Sequence, residues 1–158
     1  MPDWWRRRQS PAAPGTITPR QHHPAPRPPA PGPPPPPAII GERPRWQIER
    51  LRNQAAQEHA EYRQDPDYWG TSIDWVRGIA DAASWALGEL EMAPISRTPT
   101  GRGVVPDADL IEVEDDKAEW ALRHPREAGT TYSYANGVQH TLMWIGGDTD
   151  DCPIGFDD

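Results

Sequence analysis

Two stretches of this chain match each other without a gap at a spacing of 59 residues, and any fold must accommodate both copies. The segment PDYWGTSIDWVRGIADAASWALGELEMAPI (66–95) lies over PREAGTTYSYANGVQHTLMWIGGDTDDCPI (125–154). Eight of the 30 columns are identical, among them Gly78/Gly137, Trp85/Trp144 and Gly88/Gly147. Chance would supply about two identities at one offset, so the match predicts an internal duplication.

The first copy carries a helical period. Ile73, Val76, Ala80, Ala83, Leu87 and Leu90 recur at alternating steps of three and four. Thr71 or Ser72 can cap its start, and Gly88 can supply a left-handed residue at its end. The second copy is ambiguous alone, because Asn136-Gly137 between aromatic and β-branched residues is the strongest short-range hairpin signal. Positions apolar in both copies decide for a helix: Trp75/Tyr134, Ile79/Val138, Ala83/Leu142 and Ala86/Ile145 share one helical face. Gly137 then falls in a first turn, where a partner helix can approach closely. Were the duplication accidental, the hairpin would return.

Another helical pattern precedes each copy. Residues 46–64 follow Pro44, show Ile48, Leu51, Ala55 and Tyr62 on one side, and stop before Asp65-Pro66. Residues 107–124 show Leu110, Val113, Trp120 and Ala121, with Asp109 three ahead of Glu112 as a capping box, and stop at Pro125; LIEVE could instead be a short strand. The expectation is a small all-α four-helix domain built from two helix-turn-helix repeats, 44–95 and 107–154. A Gly/Pro-rich linker (96–106) joins them, and an acidic end (155–158) follows.

Residues 1–43 are expected to form a disordered proline-rich tail, since 15 of the 21 prolines lie in residues 1–45 and such composition cannot bury enough apolar surface to fold. Pro33–Pro37 should be a stiff polyproline II rod. It serves either as a spacer or, through Pro26/Pro29, Pro28/Pro31 or the Pro33 to Pro37 run, as a ligand for an aromatic-lined groove. No arginine stands at the usual spacing from these prolines. Residues 1–45 carry 7 basic and 2 acidic side chains, and residues 46–158 carry 9 and 22. An acidic body repels nucleic acid and anionic lipid, so neither is an expected partner of it. No apolar run is long enough for a membrane span, MPDWWRRRQS is not a secretory signal, and a cytoplasmic location is expected.

Two tryptophans stand off the apolar stripe. With Trp75 at 0° and about 100° per residue, the stripe runs from about −20° to 160° and Trp85 falls near −80°, beside Gly78; Trp144 stands in the same relation to Gly137. Either the chain folds back at Gly88 and Gly147 and covers each indole, or the indoles are aromatic anchors for a partner or a second subunit. Trp46, Trp69, Trp75 and Trp120 are expected in core or helix-end packing.

No motif announces a chemistry. Cys152 is the single cysteine, which rules out an intramolecular disulfide and a cysteine-based zinc site. GDTDDCPIGFDD lacks the twelve-residue calcium loop and reads as a solvated acidic terminus, as does the EVEDDKAE run. His22 and His23 should be solvated, while His59, His124 and His140 lack metal spacing. GRGVV is not a phosphate loop. No metal, no cofactor and no enzymatic activity are expected.

WALGE before API, and YANGVQHTLMWIGGDTDD before a proline, resemble short uncharacterised proteins encoded in actinobacterial genomes and their phages or integrated elements. The resemblance implies an accessory gene and no activity. The leading expectation is a non-catalytic helical protein-interaction or adaptor protein with a protein partner, oligomeric assembly being allowed. The alternatives are a minor virion component with an extended tail, which would place it in the virion, and an acidic nucleic-acid mimic or regulator.

Overall fold

A computed structural model of the chain describes residues 35–65, 67 and 70–155. The described residues hold four helices: α1 (Arg45–Tyr62), α2 (Gly70–Ala86), α3 (Ala108–Arg123) and α4 (Tyr132–Gly146). A two-stranded antiparallel hairpin precedes them, with β1 (Ile39–Ile40) paired to β2 (Arg43–Pro44) in the register Ile40 to Arg43 and Ile39 to Pro44. The Asn136-Gly137 dipeptide lies inside α4, so the helical alternative is the observed one and the β-ribbon is not; LIEVE is likewise helical, within α3.

The packing order is α1, α2, α4, α3, with α2 and α4 as the central pair and α1 and α3 outside. The core is built from Ile48, Leu51 and Ala55 of α1, Val76, Ile79 and Ala83 of α2, Ile111 and Ala118 of α3, and Val138, Leu142 and Ile145 of α4. Each fully buried aliphatic side chain contributes about 1.5–3 kcal/mol of transfer free energy.

The duplication is visible in three dimensions. Every buried position of α2 (Val76, Gly78, Ile79, Ala82, Ala83, Trp85, Ala86) has a buried counterpart 59 residues later in α4. The helix ends match too: Glu89 N–H donates to Ser84 C=O at 2.9 Å and Asp148 N–H to Met143 C=O at 2.9 Å, around left-handed Gly88 (φ 78) and Gly147 (φ 92). These are the bonds that satisfy the last carbonyls of a helix. The outer helices follow a different register. Ile48, Leu51 and Ala55 of α1 correspond to Ile111, Glu114 and Ala118 of α3, 63 residues on.

Several local expectations are corrected. Folded structure reaches back to Ile39 rather than beginning at Pro44, because the hairpin is anchored on α4: Glu42 N–H donates to Ile145 C=O at 2.8 Å, and Arg43 Nε to Trp144 C=O at 2.7 Å. Pro44 cannot donate a ladder hydrogen bond and leads directly into α1 at φ −58, a proline angle compatible with a helix start. The cap of α3 is Asp107, whose side chain accepts from Leu110 N–H at 2.9 Å, and not the Asp109/Glu112 box. Thr71 and Ser72 lie inside α2, which already begins at Gly70. In α4 the cap is Thr131, so Gly137 falls in the second turn rather than the first.

Candidate functional site

The paired glycines bring the two central helices into backbone contact. A Cβ on Gly78 would stand 2.3 Å from Tyr134 O, and one on Gly137 would stand 2.2 Å from Trp75 O. Trp75 and Tyr134 are themselves repeat partners, so the contact is reciprocal. These glycines join helix to helix within the chain.

Trp85 and Trp144 are covered by their own chain and offer no indole surface to a partner. Trp85 is 1% exposed, and its Nε1–H donates to Thr100 Oγ1 at 3.1 Å, under the 91–100 loop that folds back after Gly88. Trp144 is buried as well, with the Arg43 guanidinium 5.3 Å from its ring centroid. Their off-stripe position was misleading because α2 and α4 are central. The buried arc is turned roughly 60° toward Gly78 and Trp85 by the close helix-helix approach, away from the most apolar stripe. Pro26, Pro29 and Pro33 lie outside the described residues, and Pro37 is exposed in irregular chain.

Of the tryptophans assigned to packing, Trp75 is partly buried against the core, Trp69 lies outside the described residues, and Trp46 and Trp120 are exposed. Trp46 is 59% and Trp120 42% exposed. Trp120 continues a row on α3 with Leu110 and Val113, the latter 53% exposed, and the His124 ring stacks on it at 5.0 Å. Angularly these residues occupy the flank of α3 next to its buried face. Exposed Lys117 falls within the same row, and exposed Asp109, Glu112, Asp116, Glu119 and Arg123 fill the rest of the outward side, Arg123 paired with Glu119. The row is apolar surface broken by Lys117, in a mainly acidic border.

Two cavities flank the central pair. One, of about 350 Å³, is lined by Asp74 and Arg77 of α2, Arg97 of the 91–100 loop, and Thr130, Thr131 and Tyr134 at the start of α4. Tyr134 O–H donates to Asp81 Oδ2 at 2.8 Å and Thr131 O–H to Asp74 Oδ2 at 2.9 Å. Arg77 covers the Tyr134 ring at 5.1 Å and stands 3.7 Å from Asp81. Burial, followed by the Asp81 charge, pushes the Tyr134 hydroxyl well above its usual range, so it is a neutral donor and not a base.

The loop that brings Arg97 to this cavity is held from beneath by Glu114 of α3. Its buried carboxylate accepts from Ile95 N–H at 2.5 Å and from Ser96 N–H at 3.0 Å. Sequence reasoning missed both residues. Glu114 left one readable signal, a charge in register with Ile111, Ala118 and Ala121 on the inward side of α3; nothing in the sequence marked Arg97.

The second cavity, of about 360 Å³, has Ile111 and Leu142 in its wall together with Glu42, Glu112, Asp115 and Asp148. Burial, then the charges of Asp148, Asp116 and Glu119, push the Asp115 carboxyl up to about 7. Among the described residues no group of histidine, cysteine and carboxylate side chains has metal-site geometry. The half-buried Cys152 thiol is pushed up, chiefly by burial, which disfavours a reactive thiolate. No helix among the described residues is long and apolar enough to cross a membrane. Comparison with protein-family models, with curated proteins and with solved structures returned no match.

Proposed function

We propose that this chain is a non-catalytic helical interaction protein, an adaptor of the kind encoded by accessory genes of phages or integrated elements, that receives its protein partner on the outer face of α3. The observation that carries the reading is the row Leu110, Val113 and Trp120, left exposed beside the buried face of α3, with Lys117 between them and Asp109, Glu112, Asp116 and Glu119 along its border. An apolar row inside acidic surroundings complements an amphipathic helix with lysine or arginine beside its apolar stripe. The excess of acidic side chains in residues 46–158 favours such a partner over nucleic acid.

A synthetic leucine/lysine amphipathic helix tests the reading. The full chain should bind it saturably, with a change in tryptophan emission and an affinity that falls as salt rises. Val113→Glu and Trp120→Ala should each weaken binding about tenfold, corresponding to about 1.4 kcal/mol, while leaving the helical circular dichroism unchanged. Binding that ignores both substitutions would refute the reading.

A further inference from the structure

We propose that the cavity between α2, the start of α4 and the 91–100 loop is a binding site for a small organic carboxylate, with the Arg97 guanidinium as its anchor. This site is separate from the α3 face, so either can fail without the other.

The charges around the cavity are unevenly committed. Arg77 lies against the Tyr134 ring and faces Asp81, and Asp81 also accepts the Tyr134 hydroxyl hydrogen. Asp74 uses one oxygen on the Thr131 hydroxyl. The Arg97 side chain, on an exposed residue, has no hydrogen-bond or ion-pair partner among the described residues, although residues 46–158 hold 22 carboxylates. A guanidinium in a cavity wall with no carboxylate of its own is available to one brought from outside. Its planar fork can donate to the two oxygens of a carboxylate together.

The backbone fixes where the Arg97 side chain leaves the loop. Arg97 has φ 59, in the left-handed region that a non-glycine residue rarely adopts. The turn is fixed on both sides: Glu114 takes the N–H groups of Ile95 and Ser96, Arg97 N–H donates to Ala93 C=O at 3.2 Å, and Ala93 N–H to Thr98 C=O at 3.0 Å. Glu114 occupies the position that Leu51 fills in the first repeat, so a core apolar site has become the clamp for this turn. It is a positioning residue.

Carboxylate is favoured over phosphate by the charge of the walls. Asp74 and Asp81 stand close to the same space, and a dianion meets twice the repulsion that a single carboxylate meets. Thr130, whose side chain carries a hydroxyl able to donate, also lines the cavity. The cavity, at about 350 Å³, leaves room for the carbon skeleton of a small acid beyond its carboxylate.

Titration of the isotopically labelled full chain by NMR, with butyrate, a monocarboxylate, in one series and inorganic phosphate in another at matched ionic strength, tests the site. Butyrate should shift the Arg97 Nε–Hε signal and the Thr130 and Thr131 amide signals along one saturable curve, and phosphate should bind at least tenfold more weakly. Arg97→Gln should reduce butyrate affinity at least tenfold with unchanged thermal stability. Arg97→Gly, which suits the left-handed backbone better, should do the same in a chain at least as stable. Shifts that follow sodium chloride equally, phosphate binding as tight as or tighter than butyrate, or undiminished butyrate binding in Arg97→Gly would each overturn the proposal.

Discussion

At the residue scale, the smallest side chains set the closest contact and the largest fill the space that contact leaves. A methyl at Gly78 or Gly137 would meet a backbone carbonyl at 2.3 or 2.2 Å, and a carbonyl inside a packed helix cannot turn aside as a flexible side chain can. Gly78→Ala and Gly137→Ala should therefore each destabilise by about 2–3 kcal/mol despite alanine's better helix propensity. Urea denaturation checks this, and a neutral or stabilising result would remove the contact from the account. The tryptophans divide in the opposite way from their pattern on a helical wheel. Trp85→Ala empties a buried site and should cost about 3–5 kcal/mol, whereas Trp120→Ala should change stability by no more than about 1 kcal/mol; thermal melts of the two variants separate them. The wheel could not show this because it ranks faces by hydrophobicity, while the tightest helix contact goes to the face with glycine.

At the scale of elements, the helices and their order were legible because both copies repeat one apolar face, and because Pro44 and Pro125 punctuate the chain where the sequence placed boundaries. The register of the outer helices was not, since the shift from 59 to 63 residues is absorbed in connections that carry no apolar period. The 91–100 loop was not legible either: its conformation is fixed by hydrogen bonds to Glu114, from a helix that comes later in the chain. Of the candidate site residues, sequence placed Gly137 at a close helix approach and offered coverage of the two indoles by their own chain as one of two readings; the choice between them depends on what each helix packs against. Glu114→Leu restores the apolar residue of the first repeat but leaves the Ile95 and Ser96 N–H groups without their acceptor. It should cost about 2 kcal/mol, and hydrogen exchange at those two amides should accelerate. Unchanged exchange there would show that the loop does not depend on Glu114.

At the scale of the whole molecule, surplus negative charge makes stability depend on pH. Asp115 is raised to about 7 by burial and by Asp148, Asp116 and Glu119, above its value in an unfolded chain. The fold therefore favours its protonated form: the contribution is fully present below about pH 4 and is lost as pH rises through 7. Allowing for solvent screening of a part-exposed carboxyl, the loss should be about 1–2 kcal/mol. Asp115→Asn should melt higher than the parent at pH 8 and converge with it at about pH 4; parallel profiles would contradict this. The fastening of the hairpin bears on how the chain is made. Ile145 C=O, near the end of α4, accepts from Glu42 N–H, Arg43 Nη2 donates to Thr149 C=O at 2.7 Å, and a Cβ at Gly41 would stand 2.3 Å from Ile145 O. During synthesis on the ribosome the hairpin emerges first and must wait for the last helix before it has anything to grip. Deleting residues 35–44 should accordingly fray α4, about a hundred residues away in sequence, before it disturbs its immediate neighbour α1.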